Sequence, residues 1–427
     1  MYFHTFGCKA NQYDTERMRQ EVEARGATAV ASWGEAHMCV VNTCTVTNQA
    51  DAEARRFVRR IVRENPTASV VVAGCSAALR APEYRAMGEV SGVVEGHDPV
   101  AVAQALQASG PVPLELRAPL DRIDTEPVGG ELLRHRAGAA RGWLKVQDGC
   151  DRKCSFCATR LARGASRSRR PAEVVAEARV LALRHPELVI TGIHIGHYGR
   201  DLEEPWTLSR LVALLLDEIP GVRFRVGSVE ATEVDDELVR LLETSGGWLA
   251  PHLHMPLQSG ADPVLRRMRR WHTREQYRTR AWQIVDRMGA LGLGADVITG
   301  FPGETPEDHE RTVALVEELP FTYLHVFPFS PRRDTAAAEL PRPVPQRVAG
   351  ERSRELRELA QKKGTAYRAS RVGAPARAVL EGDGSTALTG DYLRVQVHGG
   401  LDADRPGFVA GTLRGDGEHL YIALPAT

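Results

Sequence analysis

The chain has 427 residues, 43% of them hydrophobic and 26% charged, with 55 basic and 55 acidic side chains. That length allows two to four domains of roughly 100–200 residues, each with its own core. Balanced charge excludes a bulk electrostatic pull on nucleic acid, so any such contact must come from local patches. The opening MYFHTFGCKANQYD lacks a basic stretch followed by an apolar run and does not read as a secretory signal. No stretch approaches the ~18 apolar residues of a membrane helix. The expected compartment is therefore the cytoplasm, with no membrane partner.

In chain order, Tyr2–Phe6 predicts a strand ending at Gly7-Cys8, followed by a helix from about Asp14 to Ala24. Met38–Val41 predicts a second strand ending at Asn42-Thr43-Cys44, then a helix over Ala50–Arg63. Ser69–Ala73 predicts a third, ending at Gly74-Cys75. Such alternation implies an α/β domain with a parallel sheet, whose ligand crevice lies beyond the carboxyl ends of the strands. The stretch from Gly110 to Ala140 is rich in Pro, Gly and charge and reads as a linker with room for one short strand.

A second alternation follows, with strands expected at Trp143–Gln147, Leu188–Thr191, Val222–Ser228, His252–Pro256, Gly294–Ile298 and Tyr323–Phe327. Helical patterns lie between them, such as Ala172–Leu183, and a long charged helix over Pro345–Tyr367 closes the series. About six β/α units predict a partial parallel barrel with its site at the strand carboxyl ends. His252 and His254 share one face of a strand and are expected to be satisfied core residues. Beyond residue 370, short β-type runs split by Gly and Asp predict a small all-β barrel. The expected division is 1–115, a linker over 116–135, a barrel over 136–368 and the β-barrel over 369–427.

Seven cysteines, an odd number in a large chain, argue against a disulfide framework and towards metal or catalysis. Cys150, Cys154 and Cys157, at C-x3-C-x2-C spacing, suit three corners of a 4Fe–4S cubane whose fourth iron stays open for chemistry. The alternative is zinc, which would want a fourth Cys or His close by. Cys8, Cys44 and Cys75 each follow a strand, so one shared site is within reach of all three. Singly, each would be a small buried hydrophobe. Cys39 lies inside an apolar run and reads as core.

The loop Cys150–Cys157, with an aromatic before its last cysteine, resembles the radical S-adenosylmethionine superfamily. Thr5-Phe6-Gly7-Cys8-Lys9-Ala10-Asn11-Gln12, Asn42-Thr43-Cys44-Thr45-Val46-Thr47 and Ala73-Gly74-Cys75 resemble its methylthiotransferase family. Pro256–Gly260, Gly300–Glu304, His325–Arg332 and a TRAM-like C-terminal barrel extend the likeness over nearly the whole chain. Lys9 and Gln12 place it nearest the branch acting on threonylcarbamoyladenosine beside the tRNA anticodon.

The resemblance implies two 4Fe–4S clusters. One on Cys150, Cys154 and Cys157 would cleave S-adenosylmethionine and start the radical chemistry. An auxiliary one on Cys8, Cys44 and Cys75 would carry or supply sulfur. It implies cofactor contacts at Gly192, Ser228, Glu230 and Gln258, against a plain reading as loop hydrogen bonding. It also implies a tRNA substrate and an electron donor such as a flavodoxin or ferredoxin. Arg160, Arg163, Arg167, Arg169 and Arg170 follow the cluster loop and are candidates for phosphate contact. A second run, Arg266, Arg267, Arg269, Arg270 and Arg274, shares with them the alternative of a solvated helix face.

Rival activities are methylthiolation of isopentenyl-adenosine in tRNA or of a ribosomal-protein aspartate. A rival of another class is a non-enzymatic iron–sulfur RNA-binding or sensor protein, which the open iron argues against. The chain departs from the family at Ala158-Thr159-Arg160-Leu161, where relatives usually have Ile-Ile-Pro-Tyr, and at Asp334, commonly Gly. From Ala366 on there are six Arg, no Lys and seven acidic residues, so charge does not argue for RNA binding by the last domain.

Overall fold

The computed structural model of the protein describes residues 1–107, 132–136, 138–398 and 407–424. Most of the expected linker over 116–135 lies outside these. Four parallel strands open the chain: β1 (Tyr2–Thr5), β2 (Met38–Thr43), β3 (Ser69–Gly74) and β4 (Gly92–Val93), paired in chain order. They alternate with α1 (Lys9–Ala24), α2 (Asn48–Glu64), α3 (Cys75–Arg85) and α4 (Pro99–Gln107).

Successive strand residues face opposite sides. Val40, Val71 and Ala73 pack with Met18, Val22 and Val102 on one side. Cys39, Val41, Val70 and Val72 pack with Val58, Ile61 and Tyr84 on the other. Both faces are covered, which is why β2 and β3 are unbroken apolar runs, and Cys39 is core as expected.

The central region contains six parallel strands: β5 (Arg141–Lys145), β8 (Glu187–Thr191), β9 (Arg223–Val226), β10 (His252–His254), β11 (Gly292–Thr299) and β12 (Tyr323–Pro328). They form two three-stranded sheets, β5-β8-β9 and β10-β11-β12. Bridges Phe224–Leu249 and Ser228–His254 join them. Among the described residues no pairing links β12 back to β5, so the barrel is partial. Its connecting helices are α5 (Thr159–Arg163), α6 (Pro171–Ala182), α7 (Leu208–Glu218), α8 (Asp236–Thr244), α9 (Asp262–Arg267), α10 (Arg274–Val285) and α11 (Pro306–Glu318). The long α12 (Gln346–Ser370) follows. A small antiparallel pair, β6 (Gln147–Asp148) with β7 (Arg167–Ser168), closes the base of the loop carrying Cys150, Cys154 and Cys157.

The chain ends in a closed five-stranded barrel: β13 (Pro375–Glu381), β14 (Thr386–Thr389), β15 (Arg394–His398), β16 (Phe408–Gly415) and β17 (Leu420–Ala423), in the order β13-β14-β15-β17-β16. It docks under the central barrel through buried arginines. Arg223 and Arg225 are at most 1% exposed and share Glu187 at 2.5 and 2.9 Å. Their remaining N–H groups donate to the backbone carbonyls of Arg377, Leu388, Thr389 and Gly390, at 2.8–3.0 Å. Gly292 permits the approach. A Cβ there would stand 2.3 Å from the Asp391 carbonyl oxygen, so no larger residue fits.

Burial opposes ionisation of Glu187, but Arg225 and Arg223 outweigh it and bring the carboxyl from 4.5 down to about 2. A depressed carboxylate pKa stabilises the fold fully above pH 4.5, and that contribution is lost as pH falls towards 2. It is worth about 3 kcal/mol at neutral pH. Glu187→Gln strands two buried guanidiniums and should lower unfolding free energy by about 3–5 kcal/mol. In denaturant titrations it should also flatten the dependence of stability on pH between 4.5 and 2.

Candidate active site

Each cysteine of the first triad sits where a strand gives way to a helix or loop at the carboxyl edge of the sheet. Cys8 is the N-cap of α1, which starts five residues earlier than the expected Asp14. Cys44 follows β2, and Cys75 opens α3. Cys44 and Cys75 are buried and Cys8 is exposed. Val46 N–H donates to Cys44 Sγ (3.2 Å). Arg163 Nε–H donates to Cys75 Sγ (3.3 Å), and His97 Nε2 lies 3.5 Å from the same sulfur. Burial and the neighbouring Cys75 thiol push Cys44 up to about 12. Burial pushes Cys75 up to about 11 despite Arg163.

The second triad lies in the loop after β6. Gly164 O accepts the Cys150 N–H at 3.1 Å, which folds the loop back on itself. Thr159 N–H donates to Cys157 Sγ (3.4 Å) and Arg270 Nη1 to Cys154 Sγ (3.6 Å). His194 Nδ1 lies 3.6 Å from Cys150 Sγ. Burial pushes Cys150 up to about 12 and raises Cys154 too.

The donor set fits iron–sulfur clusters. Thiolates on one zinc, at about 2.3 Å from it, lie within ~4 Å of each other. Among the described residues, three ligand atoms fall within 4.8 Å of one another in His194–His197–Glu233 and in His254–Asp296–His325, but in neither cysteine triad. Wider-set thiols suit the corners of a cubane, whose irons would bind them as thiolates and displace the protons that burial otherwise keeps on them. The carboxylate of His194–His197–Glu233 already has a cation, Arg152, at 3.1 Å.

The two triads meet at the contact between the first and central domains. Arg163, 1% exposed, donates to Cys75 of one domain while standing six residues after Cys157 in the other. Its other N–H groups reach Asp148 (2.9 Å), Asp14 (2.7 Å) and Asn11 (2.6 Å). Lys145 joins Asp14 at 2.7 Å and Asp148 at 2.5 Å. Burial opposes both carboxylates, but Lys145 and Arg163 hold Asp14 low, and Arg163 and Lys145 hold Asp148 far lower. Burial lowers the pKa of Arg332, against the opposing pull of Asp51 in the first domain and, after it, of Cys157 and Cys44. Asn48 and Arg80 of the first domain bond Pro331 O and Asp334. Asp334 has φ +65°, the left-handed conformation that suits the glycine usual there and that Asp tolerates.

The remaining expected residues lie at the strand carboxyl ends. Gly192 follows β8, and a Cβ there would come within 2.6 Å of Gln147 O, leaving only backbone at that surface. Ser228 follows β9 and is exposed. Glu230 is buried and ion-paired to Arg270, so it is not an open acceptor. Gln258 is buried at φ +67°, its backbone bridged to β11.

The arginine run divides. Arg160 and Arg170 are exposed and Arg167 is half-buried, whereas Arg163 and Arg169 are only 1% exposed. Arg169 pairs with the buried Glu177 at 2.8 Å, beside Tyr13. Arg163 and Arg169 therefore drop out as phosphate contacts, because each is spent on an internal carboxylate. In the second run, Arg266 and Arg269 are exposed while Arg267 and Arg270 turn inward. Sequence reasoning missed His97, His194 and Arg270 as neighbours of the cysteine sulfurs. No local motif marks them.

A partial parallel barrel with an open three-cysteine loop at the carboxyl ends of its strands defines the radical S-adenosylmethionine class. The profile described as the Radical SAM superfamily matches residues 144–316, and that described as Uncharacterized protein family UPF0004 matches residues 1–95. The chain is 36% identical to the threonylcarbamoyladenosine tRNA methylthiotransferase MtaB of Bacillus subtilis (strain 168), covering 86% of this chain and 81% of that one. It is 34% identical to the tRNA-2-methylthio-N(6)-dimethylallyladenosine synthase of Sorangium cellulosum (strain So ce56), over 88% and 81%. Its fold is similar to that of the radical S-adenosylmethionine methyltransferase TsrM of Kitasatospora setae, with TM-score 0.59, 16% identity, and 79% and 76% of the chains covered. The chain belongs to the methylthiotransferase family of radical S-adenosylmethionine enzymes.

Arg163→Met would leave Lys145 alone between Asp14 and Asp148. Unfolding free energy should fall by about 3–5 kcal/mol, seen as a lower denaturant midpoint.

Proposed function

We propose that this chain methylthiolates threonylcarbamoyladenosine in tRNA, with two 4Fe–4S clusters and S-adenosylmethionine as cofactors. The observation that carries the reading is the meeting of two three-cysteine sets at one domain contact, held together by Arg163. When bound, the cluster on Cys150, Cys154 and Cys157 with S-adenosylmethionine supplies hydrogen abstraction from an unactivated C–H bond, and the cluster on Cys8, Cys44 and Cys75 supplies sulfur.

The protein's part is to hold charge and position. Val46 N–H and Arg163 donate to sulfurs of the first set, and Thr159 N–H and Arg270 to those of the second. Hydrogen bonds to cluster sulfurs are one of the levers that set reduction potential. Arg270 also holds Glu230, tying the β9 end to the cluster loop. Gly192, Ser228 and Gln258 offer backbone and small polar groups where the methionyl and adenosyl parts would lie. Arg160 and Arg170, both exposed beyond the cluster loop, are proposed to meet RNA phosphates.

The likeness to relatives named for threonylcarbamoyladenosine favours that nucleoside, although the dimethylallyladenosine synthase is nearly as similar. A low-potential one-electron donor, such as a flavodoxin or ferredoxin, completes the requirement. A cytoplasmic location follows from a tRNA substrate. Among the described residues no helix is long and apolar enough to cross a membrane.

Anaerobically reconstituted protein should hold about eight irons, two cubanes' worth. Replacing Cys8, Cys44 and Cys75 together by Ala should leave about four, and retention of all eight would refute the first cluster. Mass spectrometry of tRNA nucleosides from a deletion strain should show loss of the methylthio-threonylcarbamoyl nucleoside alone. Loss of the methylthio-isopentenyl form would select the rival tRNA substrate, and unchanged tRNA would favour a protein substrate.

A further inference from the structure

The inner face of the β10-β11-β12 sheet carries a polar cluster that the cysteine chemistry does not use. Successive residues of a strand point to opposite sides. Leu253, Ala295, Val297 and Val326 turn outward and share a core with Ile284 of α10 and Leu315 of α11. His252, His254, Asp296, Tyr323 and His325 therefore turn inward, towards the space that the partial barrel encloses. Asp296 is the register partner of His325, and His254 stands beside Gly294, two residues back on the central strand. Asp296 Oδ1 lies 3.1 Å from His325 Nδ1 and 3.1 Å from His254 Nε2. The three ligand atoms all fall within 4.8 Å of one another. Neighbouring ligands held at about 2.1 Å from one ion are about 3 Å apart, which matches both pairs.

The surroundings prepare His254 to act as a ligand. The Tyr323 hydroxyl lies 3.1 Å from His254 Nδ1 and 2.8 Å from His252 Nε2. When Tyr323 donates to His252, it accepts the His254 Nδ1–H, and His254 Nε2 then turns a lone pair towards Asp296. A hydrogen bond from the second ring nitrogen is what fixes a metal-binding tautomer. With the relay reversed, Nε2 carries a proton and donates it to Asp296, so an ion can replace that proton by turning the relay round. Tyr392 of the C-terminal barrel stacks on His252 at 4.3 Å and holds the far end of the relay. Asp296 also differs from Glu233, whose cation is Arg152. Among the described residues no lysine or arginine stands at ion-pair distance from Asp296, only the two histidines.

We infer that His254, Asp296 and His325 form a site for one divalent first-row transition ion inside the barrel, separate from both cysteine triads. Two imidazoles and a carboxylate suit such ions better than magnesium or calcium, which take all-oxygen sites. Three protein ligands leave the rest of the coordination sphere open. His254 is buried, Asp296 half-buried and His325 exposed, so the open positions face the solvent side of the cluster. There they would take water or an oxygen donor of a molecule entering the barrel. The inference does not depend on which nucleoside the enzyme modifies.

The test uses the full-length protein, anaerobically reconstituted with iron and sulfide, stripped of loose metal on a chelating resin and dialysed against a series of Co2+ concentrations. Cobalt and iron are then counted separately by mass spectrometry. Wild-type protein should take up about one cobalt per chain, saturably, with its iron unchanged. Asp296→Asn and His325→Ala should each keep the iron and take up almost no cobalt at the concentration that saturates the wild type. Tyr323→Phe, which removes the relay but no ligand, should raise the half-saturating concentration about 10- to 100-fold. No cobalt uptake by the wild type would show that protons alone join the three side chains and would overturn the inference. Uptake matched by loss of iron would place the cobalt in the cysteine triads, with the same consequence. So would Asp296→Asn and His325→Ala variants that bind as the wild type does. If Asp296→Asn fails to fold or sheds iron, His325→Ala, which alters an exposed side chain, decides alone.

Discussion

The arrangement depends on one buried guanidinium. Arg163 is planar and permanently charged, with five N–H donors in a fixed fork. Here the fork is spent on a sulfur, two carboxylates and an amide oxygen drawn from two domains. A lysine would bring the charge but not the geometry. Desolvating such a group is expensive, and only near-complete pairing makes it tolerable. That requirement is what sets α1 and the cluster loop in a single relative position, and with them the two cysteine triads.

The opposite end of the central barrel repeats the device with the roles changed. There the acid, Glu187, is central, and Arg223 and Arg225 extend from it to the last domain. The barrel is therefore held at both ends by buried ion clusters while its wall is apolar, with Leu188, Val189, Ile190, Phe224 and Leu253 fully buried. Hydrophobic packing supplies the bulk of the stability. The ion clusters supply register between domains, a specificity that non-directional burial alone does not provide.

Much of this was legible in the sequence. The C-x3-C-x2-C loop was legible as a candidate cluster site because its cysteines are local. Cys8, Cys44 and Cys75 were legible because strand–helix alternation aligns the carboxyl ends of parallel strands. The third-domain strand Thr386–Thr389 carries a weak sequence signal, being four residues long with mostly small side chains. What the sequence hid was long-range pairing. Arg163 meets Cys75 across 88 positions and Asp14 across 149. In a linear reading Arg160 to Arg170 is one basic run, and nothing local reveals that Arg163 and Arg169 turn inward while Arg160 and Arg170 face water. The sequence marks Asp334 as a departure from glycine but not that its backbone keeps the left-handed turn glycine would make.

Arg223 and Arg225 hold the C-terminal barrel by its main-chain carbonyls as well as through Glu187. Carbonyls are common to every amino acid, so the grip does not depend on which side chains that barrel carries at those positions. The outer face of the domain is consequently free to drift over evolutionary time, changing composition and even the sign of its charge without coming undocked. A C-terminal barrel with more acidic than basic residues, on a chain whose relatives act on RNA, is an outcome this form of attachment tolerates.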